Sequence, residues 1–261
     1  MDTYIFVATG NNSGSTFLLN LLSLCKNVIT FPKIEHKDGY IIIEGQHADS
    51  KGMPNFELSE NGLLWTEHLD QVLNLQFYKW EQVKNSWDDL WRQHKNYHNK
   101  ERIFVEKSPH NLGRVGMMAK EFNNAWFLTQ VRNPYVVAEG IRRRMGSGCD
   151  IRRAGIHSIK MLELAKRNLY TCDQLLTWRY EDLFTKPHII QNMITESIGL
   201  EDFSLGKVIP SKKMGGYENS RLSNQNPKQL ENLTEKDVRI LNEVFDQNPE
   251  IMMFFNYERM I

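Results

Sequence analysis

Cysteine is scarce in this chain, with only Cys25, Cys149 and Cys172, odd in number and far apart. They offer neither a metal-ligand spacing nor a disulfide framework, so a reducing compartment is expected. An excess of one charge is missing as well, since 32 Lys and Arg stand against 32 Asp and Glu. Nothing in that balance draws the whole molecule to nucleic acid or to an anionic membrane. Long apolar runs are lacking: the longest, residues 17–25, is well short of the ~20 residues a membrane helix needs. A basic leader with a cleavage site is also missing, so the expectation is a cytoplasmic protein without an anchor. There is no internal repeat and no low-complexity stretch.

What is present reads as an ordinary globular chain. Its 261 residues, 41% of them apolar, can bury one good core. One domain over 1–261 is the simplest reading, with two small domains as the alternative. Residues 5–8 form a continuous apolar run, as expected of a strand buried on both faces of a parallel sheet. Residues 15–25 are apolar nearly all round, which predicts a buried helix. Residues 28–31 and 40–43 are short β-rich runs, and 61–98 reads as helical, with many aromatics and charges. Residues 102–105, 126–131 and 175–180 are further strand candidates. Asn133-Pro134 opens a helix, with Asn as cap and Pro at the first position. Residues 157–170 repeat apolar positions at helical spacing. Pro187 starts a helix that Gly199 stops. Residues 206–228 are polar, carry Gly215-Gly216 and read as a mobile loop. Thr234 with Asp237 predicts a capping box for the last helix. Strands alternating with helices predict an α/β fold with a central parallel sheet.

In such a sheet the turn after the first strand lies at the ligand-binding edge. Here that turn reads TGNNSGST, residues 9–16. Gly10 and Gly14 allow the backbone to curl around an anion, and Ser13, Ser15 and Thr16 bring hydroxyls to a helix start. The segment reads as an anion cradle, or else as a plain capped turn. It is not a Walker A loop, because the spacing is one short and the lysine is absent. Three more stretches follow strands. Val131-Arg132-Asn133-Pro134 places Arg132 at the same edge, where its fork of N–H groups suits phosphate. The triplet Arg142-Arg143-Arg144 behind it reads better as a solvated helix face. Glu106-Lys107-Ser108-Pro109-His110-Asn111 sets Lys107 into the cleft or at an exposed edge. The fourth stretch is Trp178-Arg179-Tyr180-Glu181-Asp182-Leu183.

Taken in order, these four stretches and the closing Phe255-Asn256-Tyr257 resemble the sulfotransferases that use 3'-phosphoadenosine 5'-phosphosulfate (PAPS). The likeness is closest to the branch acting on carbohydrates and small hydroxylated molecules, and it runs over roughly 3–257. It implies a P-loop-like three-layer α/β/α sandwich, with residues 45–100 as a helical insertion on the acceptor side. It implies that Ser13, Gly14, Ser15 and Thr16 hold the 5'-phosphosulfate and that Arg132 holds the 3'-phosphate. Tyr180 would lie near the adenosine, and Lys107 would reach the transferring group or the acceptor. Two positions depart from the pattern. Asn12 stands where the family usually has Arg or Lys at the bridging oxygen, and a neutral amide stabilises developing charge less well. Gly140 stands where a serine often meets the 3'-phosphate.

Transfer to an alcohol or amine also needs a base within hydrogen-bond distance. Related enzymes place a glutamate near residues 41–47, so Glu44 is the choice, with Glu35, His36 and His47 as rivals. The aromatics of 61–98 fill a core or stack on an acceptor, and the core is the commoner use. The expected reaction is sulfuryl transfer from PAPS to a hydroxyl or amine, on a carbohydrate or another small molecule, without a metal. A P-loop-type kinase and a nucleotide-binding scaffold with a decayed site are the alternatives. Lys212 and Lys213, beside the glycine pair, are placed over the nucleotide.

Overall fold

Five parallel strands make the centre of the computed structural model, which describes residues 2–36, 39–42, 44–45, 52–53, 62–146, 149–208 and 222–261. They are β1 (Thr3–Val7), β2 (Val28–Thr30), β5 (Ile103–Lys107), β6 (Ala125–Val131) and β7 (Leu175–Arg179). Their order across the sheet is β2-β5-β1-β6-β7. Both faces of the sheet are covered, which is why the strands read as unbroken apolar runs. On β1, Ile5 and Val7 pack with helix α1 (Ser15–Leu22), while Phe6 and Ala8 pack on the opposite face. That opposite face carries α3 (Trp80–Trp91) and α4 (Asn111–Glu121). The result is a three-layer α/β/α sandwich.

Local chemistry accounts for most boundaries. The Asn133 side chain accepts from the Tyr135 N–H and Pro134 takes the first position of α5 (Pro134–Met145). Asp150 caps α6 (Ile151–Leu169), so this helix begins two turns before the expected residue 157. After the short α7 (Asp182–Thr185), Pro187 opens α8 (Pro187–Ile198), and Gly199 closes it at φ 78°. The Thr234 hydroxyl and the Asp237 carboxylate cap α10 (Glu235–Phe245) reciprocally. The stretch expected to be a helical region resolves into α2 (Leu69–Leu73), α3 and two short 3-10 turns, Gly62–His68 and Leu75–Phe77.

The β-rich run at 40–43 is a strand over its described residues, but it lies outside the parallel sheet. Instead β4 (Gly39–Ile42) pairs antiparallel with β3 (Lys33–His36) as a separate hairpin. Asn226–Leu230 is a helix, α9, inside the stretch read as a loop. Gly215-Gly216, Lys212, Lys213 and His47 lie outside the described residues.

The connections place the site. From β1 the chain passes to β2 beyond β5, and from β5 it passes to β6 beyond β1. The two crossovers leave in opposite directions, so the C-terminal ends of β1 and β5 flank a topological switch point. Val7 and Lys107 are register partners there. β6 runs on with β7 to Val131↔Arg179, which carries Arg132 alongside the loop after β1.

Candidate functional site

The loop after β1 is pinned to β6 and β7. Ala8 N–H and the Thr9 hydroxyl both donate to Leu128 O, at 2.9 and 3.2 Å. The Thr9 hydroxyl in turn accepts from the Gln130 N–H at 3.0 Å. The Gln130 amide donates to Ser13 O and accepts from Trp178 Nε1, the latter at 2.8 Å. Asn12 and Gly14 both adopt left-handed backbone, φ 57° and 90°. Gly14 is the N-cap of α1 and supplies no side chain to cap it. The first N–H groups of that eight-residue helix therefore face the loop's concave side without an intrahelical acceptor. A Cβ at Gly14 would sit 2.6 Å from Gln130 Nε2 and 3.3 Å from the Tyr180 ring. Ser13 and Ser15 are buried in this cradle.

Asn12 is oriented in a way the sequence did not indicate. Its side chain lies over α5 against Gly140, where an added Cβ would come within 3.0 Å of Asn12 Cγ. Asn12 Nδ2 is buried and has no hydrogen-bond partner among the described residues. The two departures from the family pattern thus touch each other, since the space above Gly140 is filled by the Asn12 carboxamide.

Arg132 closes the same end. Its guanidinium donates to Asn12 O at 2.7 Å, to Asn226 Oδ1 at 2.8 Å and to Gln229 Oε1. It also lies 4.2 Å from the centroid of the Tyr180 ring. The Tyr180 hydroxyl donates to Ser223 O at 3.0 Å and accepts from Gln225 N–H at 3.2 Å. The short helix α9 is thereby tied over Arg132. Glu181, next in the motif, accepts from Asn133 N–H, Asn226 Nδ2 and the Tyr257 hydroxyl. Burial, and then the neighbouring Glu181 carboxylate, push the Tyr257 hydroxyl well above its usual range, so it stays protonated and donating. One half-buried carboxylate therefore joins the end of β6, the start of α9 and the closing Phe255-Asn256-Tyr257.

The arginine triplet is only partly a solvated face. Arg142 pairs with Asp237 at 2.5 Å and Arg143 with Glu139 at 2.9 Å. Arg144 is exposed, and the Glu44 charge favours its protonated form.

The other half of the site stands at the end of β5. Glu44 and Lys107, both singled out from sequence, meet as an ion pair. Beneath them Glu106 is 1% exposed. Its Oε1 accepts from Gly45 N–H at 2.8 Å and from the Ser108 hydroxyl at 2.5 Å, and its Oε2 accepts from Asn111 Nδ2. Burial pushes the Glu106 carboxyl up, and these bonds oppose the shift. Gly45 O accepts from Trp87 Nε1 at 3.1 Å. Sequence reading quoted Glu106 without giving it a task; the available signal was a charged residue inside an otherwise apolar strand. Of the rival bases, Glu35 and His36 belong to the β3 hairpin and His47 is outside the described residues.

The aromatics of the helical stretch serve mainly as core, as expected: Trp65, Trp80, Trp87 and Trp91 are buried, while Phe77 is half exposed. Trp65 also reaches the cradle, its Nε1 donating to Asn11 Oδ1 at 2.8 Å. Its ring meets His157 edge-on, and His157 Nδ1 lies 2.6 Å from the Thr66 hydroxyl. Among the described residues no group of three His, Cys, Asp or Glu could hold a metal ion, and no helix is long and apolar enough to cross a membrane.

The uncapped start of α1, the buried Arg132 beside it and the Glu44–Lys107 pair thus stand together along the C-terminal edge of the sheet. Residues 5–204 match the model of the Sulfotransferase family, and the chain belongs to that family. Membership places the protein among enzymes that transfer sulfuryl groups. No curated protein matches it in sequence. Among solved structures it is similar to the sulfotransferase domain from the curacin biosynthetic pathway. The identity there is 19% and the TM-score 0.53, over 100% of this chain and 99% of that one. It is also similar to the sulfotransferase from Alicyclobacillus acidocaldarius, at 12% identity and TM-score 0.56, over 98% and 96%. At these identities the likeness is one of fold.

Proposed function

We propose that the protein transfers a sulfuryl group from PAPS to a hydroxyl or amine of a small acceptor, carbohydrates included. The observation that carries the reading is the Glu44–Lys107 pair at the end of β5, in register with the end of β1 where the loop begins. Three features fit the nucleotide. Gly14 starts α1 without a side chain to compete for its first N–H groups, Asn12 Nδ2 is a buried amide without a hydrogen-bond partner among the described residues, and Arg132 is fixed beside the loop through Asn12 O. The N–H groups at the start of α1, with Ser13, Ser15 and Thr16, would hold the 5'-phosphosulfate; Arg132 and Asn12 would hold the 3'-phosphate. Tyr180 would flank the adenosine. When bound, PAPS supplies the sulfuryl group and leaves as the 3',5'-bisphosphate.

The chain's own residues do the rest. The Glu44 carboxylate takes the proton that the acceptor O–H or N–H gives up as its new bond to sulfur forms. The Lys107 ammonium offsets charge on the transferring oxygens, a task in which a preorganised cation inside a partly dry site is worth several-fold more than in water. In the resting protein each neutralises the other, which keeps both side chains in place until an acceptor parts them. The helical stretch within 45–100, whose described part borders this pair through Trp87 and Gly45, would face the acceptor.

The test is thermal unfolding with 3'-phosphoadenosine 5'-phosphate, AMP, or ATP with magnesium. At about 100 times its dissociation constant a ligand adds roughly 2.7 kcal/mol to the folded state. A shift with the bisphosphate that Arg132→Ala abolishes is the expected result. A shift confined to ATP with magnesium would instead favour a kinase, and no shift at all a scaffold that has lost its site.

A further inference from the structure

Glu106 cannot reach a substrate: its carboxylate is enclosed and its oxygens are engaged by Gly45 N–H, the Ser108 hydroxyl and Asn111 Nδ2. A buried carboxylate is costly unless its surroundings repay the desolvation with hydrogen bonds. Here the surroundings do so with three groups from two separate parts of the chain. Two of them, Ser108 and Asn111, follow Glu106 directly and bind the end of β5 to the start of α4. The third, Gly45 N–H, comes from 61 residues away and is the amide next to Glu44. The joint admits no side chain at 45, since a Cβ would lie 2.7 Å from the Trp87 ring and 2.8 Å from Glu106 Oε1. Trp87 Nε1 holds the opposite side of the same residue through Gly45 O. Gly45 is thus clamped between a carboxylate and an indole, and Glu44 is set beside Lys107, which neighbours Glu106 on β5.

We infer that Glu106 is the positioning residue of the Glu44–Lys107 pair, fixing the general base by capturing the Gly45 N–H rather than by touching the acceptor. The inference deepens the function proposed above and rests on Glu44 being the base. It explains why a strand that otherwise carries apolar residues into the core keeps a carboxylate one residue before its lysine. Strand pleating points successive side chains to opposite faces, so Lys107 addresses the cleft while Glu106 addresses the layer beneath the 44–45 turn.

Two readouts decide it. The first is amide exchange: in Glu106→Ala, Gly45 N–H is expected to exchange at least about 100-fold faster than in the wild type, with the amides inside β5 unchanged. The second is kinetic. A displacement of about 1 Å at a catalytic group costs on the order of 100-fold in rate, so kcat should fall by about that factor. Affinity for 3'-phosphoadenosine 5'-phosphate should stay within about twofold, because the groups bonded to Glu106, on Gly45, Ser108 and Asn111, lie outside the loop after β1. Glu106→Gln keeps an oxygen for Gly45 and should recover most of the loss. In Glu106→Ala/Glu44→Gln the loss should equal that of Glu44→Gln alone, since a residue acting through another adds nothing once the other is gone. Gly45→Ala attacks the joint from the other side and should reproduce the kcat loss, and it serves if Glu106→Ala does not fold. Unchanged Gly45 protection, additive losses in the double variant, or a Gly45→Ala protein with wild-type kcat would each overturn the inference. Failure of the wider reading would look different: the wild type would bind no bisphosphate and transfer nothing, while the exchange result would still decide whether Glu106 holds Gly45.

Discussion

Replacing Gly14 by alanine tests the cradle at its tightest point. The residue sits at φ 90°, a region that costs an L-residue with a Cβ roughly 1–2 kcal/mol. The new Cβ would meet Gln130 Nε2 at 2.6 Å. That amide cannot withdraw cheaply, because it is held between Ser13 O and Trp178 Nε1. Overpacking of this kind costs about 1–3 kcal/mol, so the expected destabilisation is about 3 kcal/mol. For a chain of this size that lowers Tm by roughly 6–12 °C. The ligand response should suffer separately. If the distorted loop weakens bisphosphate binding about 100-fold, a concentration that adds about 2.7 kcal/mol to the wild type adds only about 0.4 kcal/mol to the variant. Differential scanning fluorimetry with and without 3'-phosphoadenosine 5'-phosphate measures both. Gly116→Ala is the control: it lies within α4 with nothing within 4 Å of an added Cβ, and should be neutral or stabilising. A Gly14→Ala protein as stable as this control, with the wild-type ligand shift, would refute the cradle.

Gly140→Ala must displace the Asn12 carboxamide, 3.0 Å from the new Cβ; we expect bisphosphate affinity by calorimetry to fall several-fold, with about 1 kcal/mol or less lost in stability. His157 gives a pH prediction. Burial holds its pKa at about 3, below the usual 6.5, so its contribution is complete above pH 6.5 and declines as the pH falls toward 3. Between pH 7 and pH 5 that decline is about 2 kcal/mol, and in His157→Asn this part of the acid dependence of chemical denaturation should vanish.

Much of this was legible in the residues. The strands announced themselves because burial on both faces demands continuous apolar runs, and Asn133-Pro134, Pro187 with Gly199, and Thr234 with Asp237 mark boundaries by chemistry that acts within one turn. Helix α4 was not legible, since Gly113 and Gly116 interrupt its pattern and its need is tertiary: Gly113 leaves room for Val72 and Trp65. The first turns of α6 were hidden for a similar reason, with Gly155 making way for Leu241. α9 is too short and polar to show periodicity, and it is held by its bonds to Arg132 and Glu181. In the site, residue types and loop positions could be read, so Glu44, Lys107 and Arg132 were named. The direction of the Asn12 side chain depends on a left-handed backbone, and the role of Glu106 depends on a glycine 61 positions earlier; neither is a local property.

The bonds that close the Arg132 end have a bearing on how the protein comes into being. Arg132 is tied to residues 120, 94 and 97 positions distant, and Tyr180 to one 43 away. Contacts of such span are slow to close and form only once the sheet between them is built. A chain emerging from synthesis cannot close this end early, because α9 is added after every strand of the sheet. On the function proposed above, nucleotide would bind finished molecules alone and draw the population toward them.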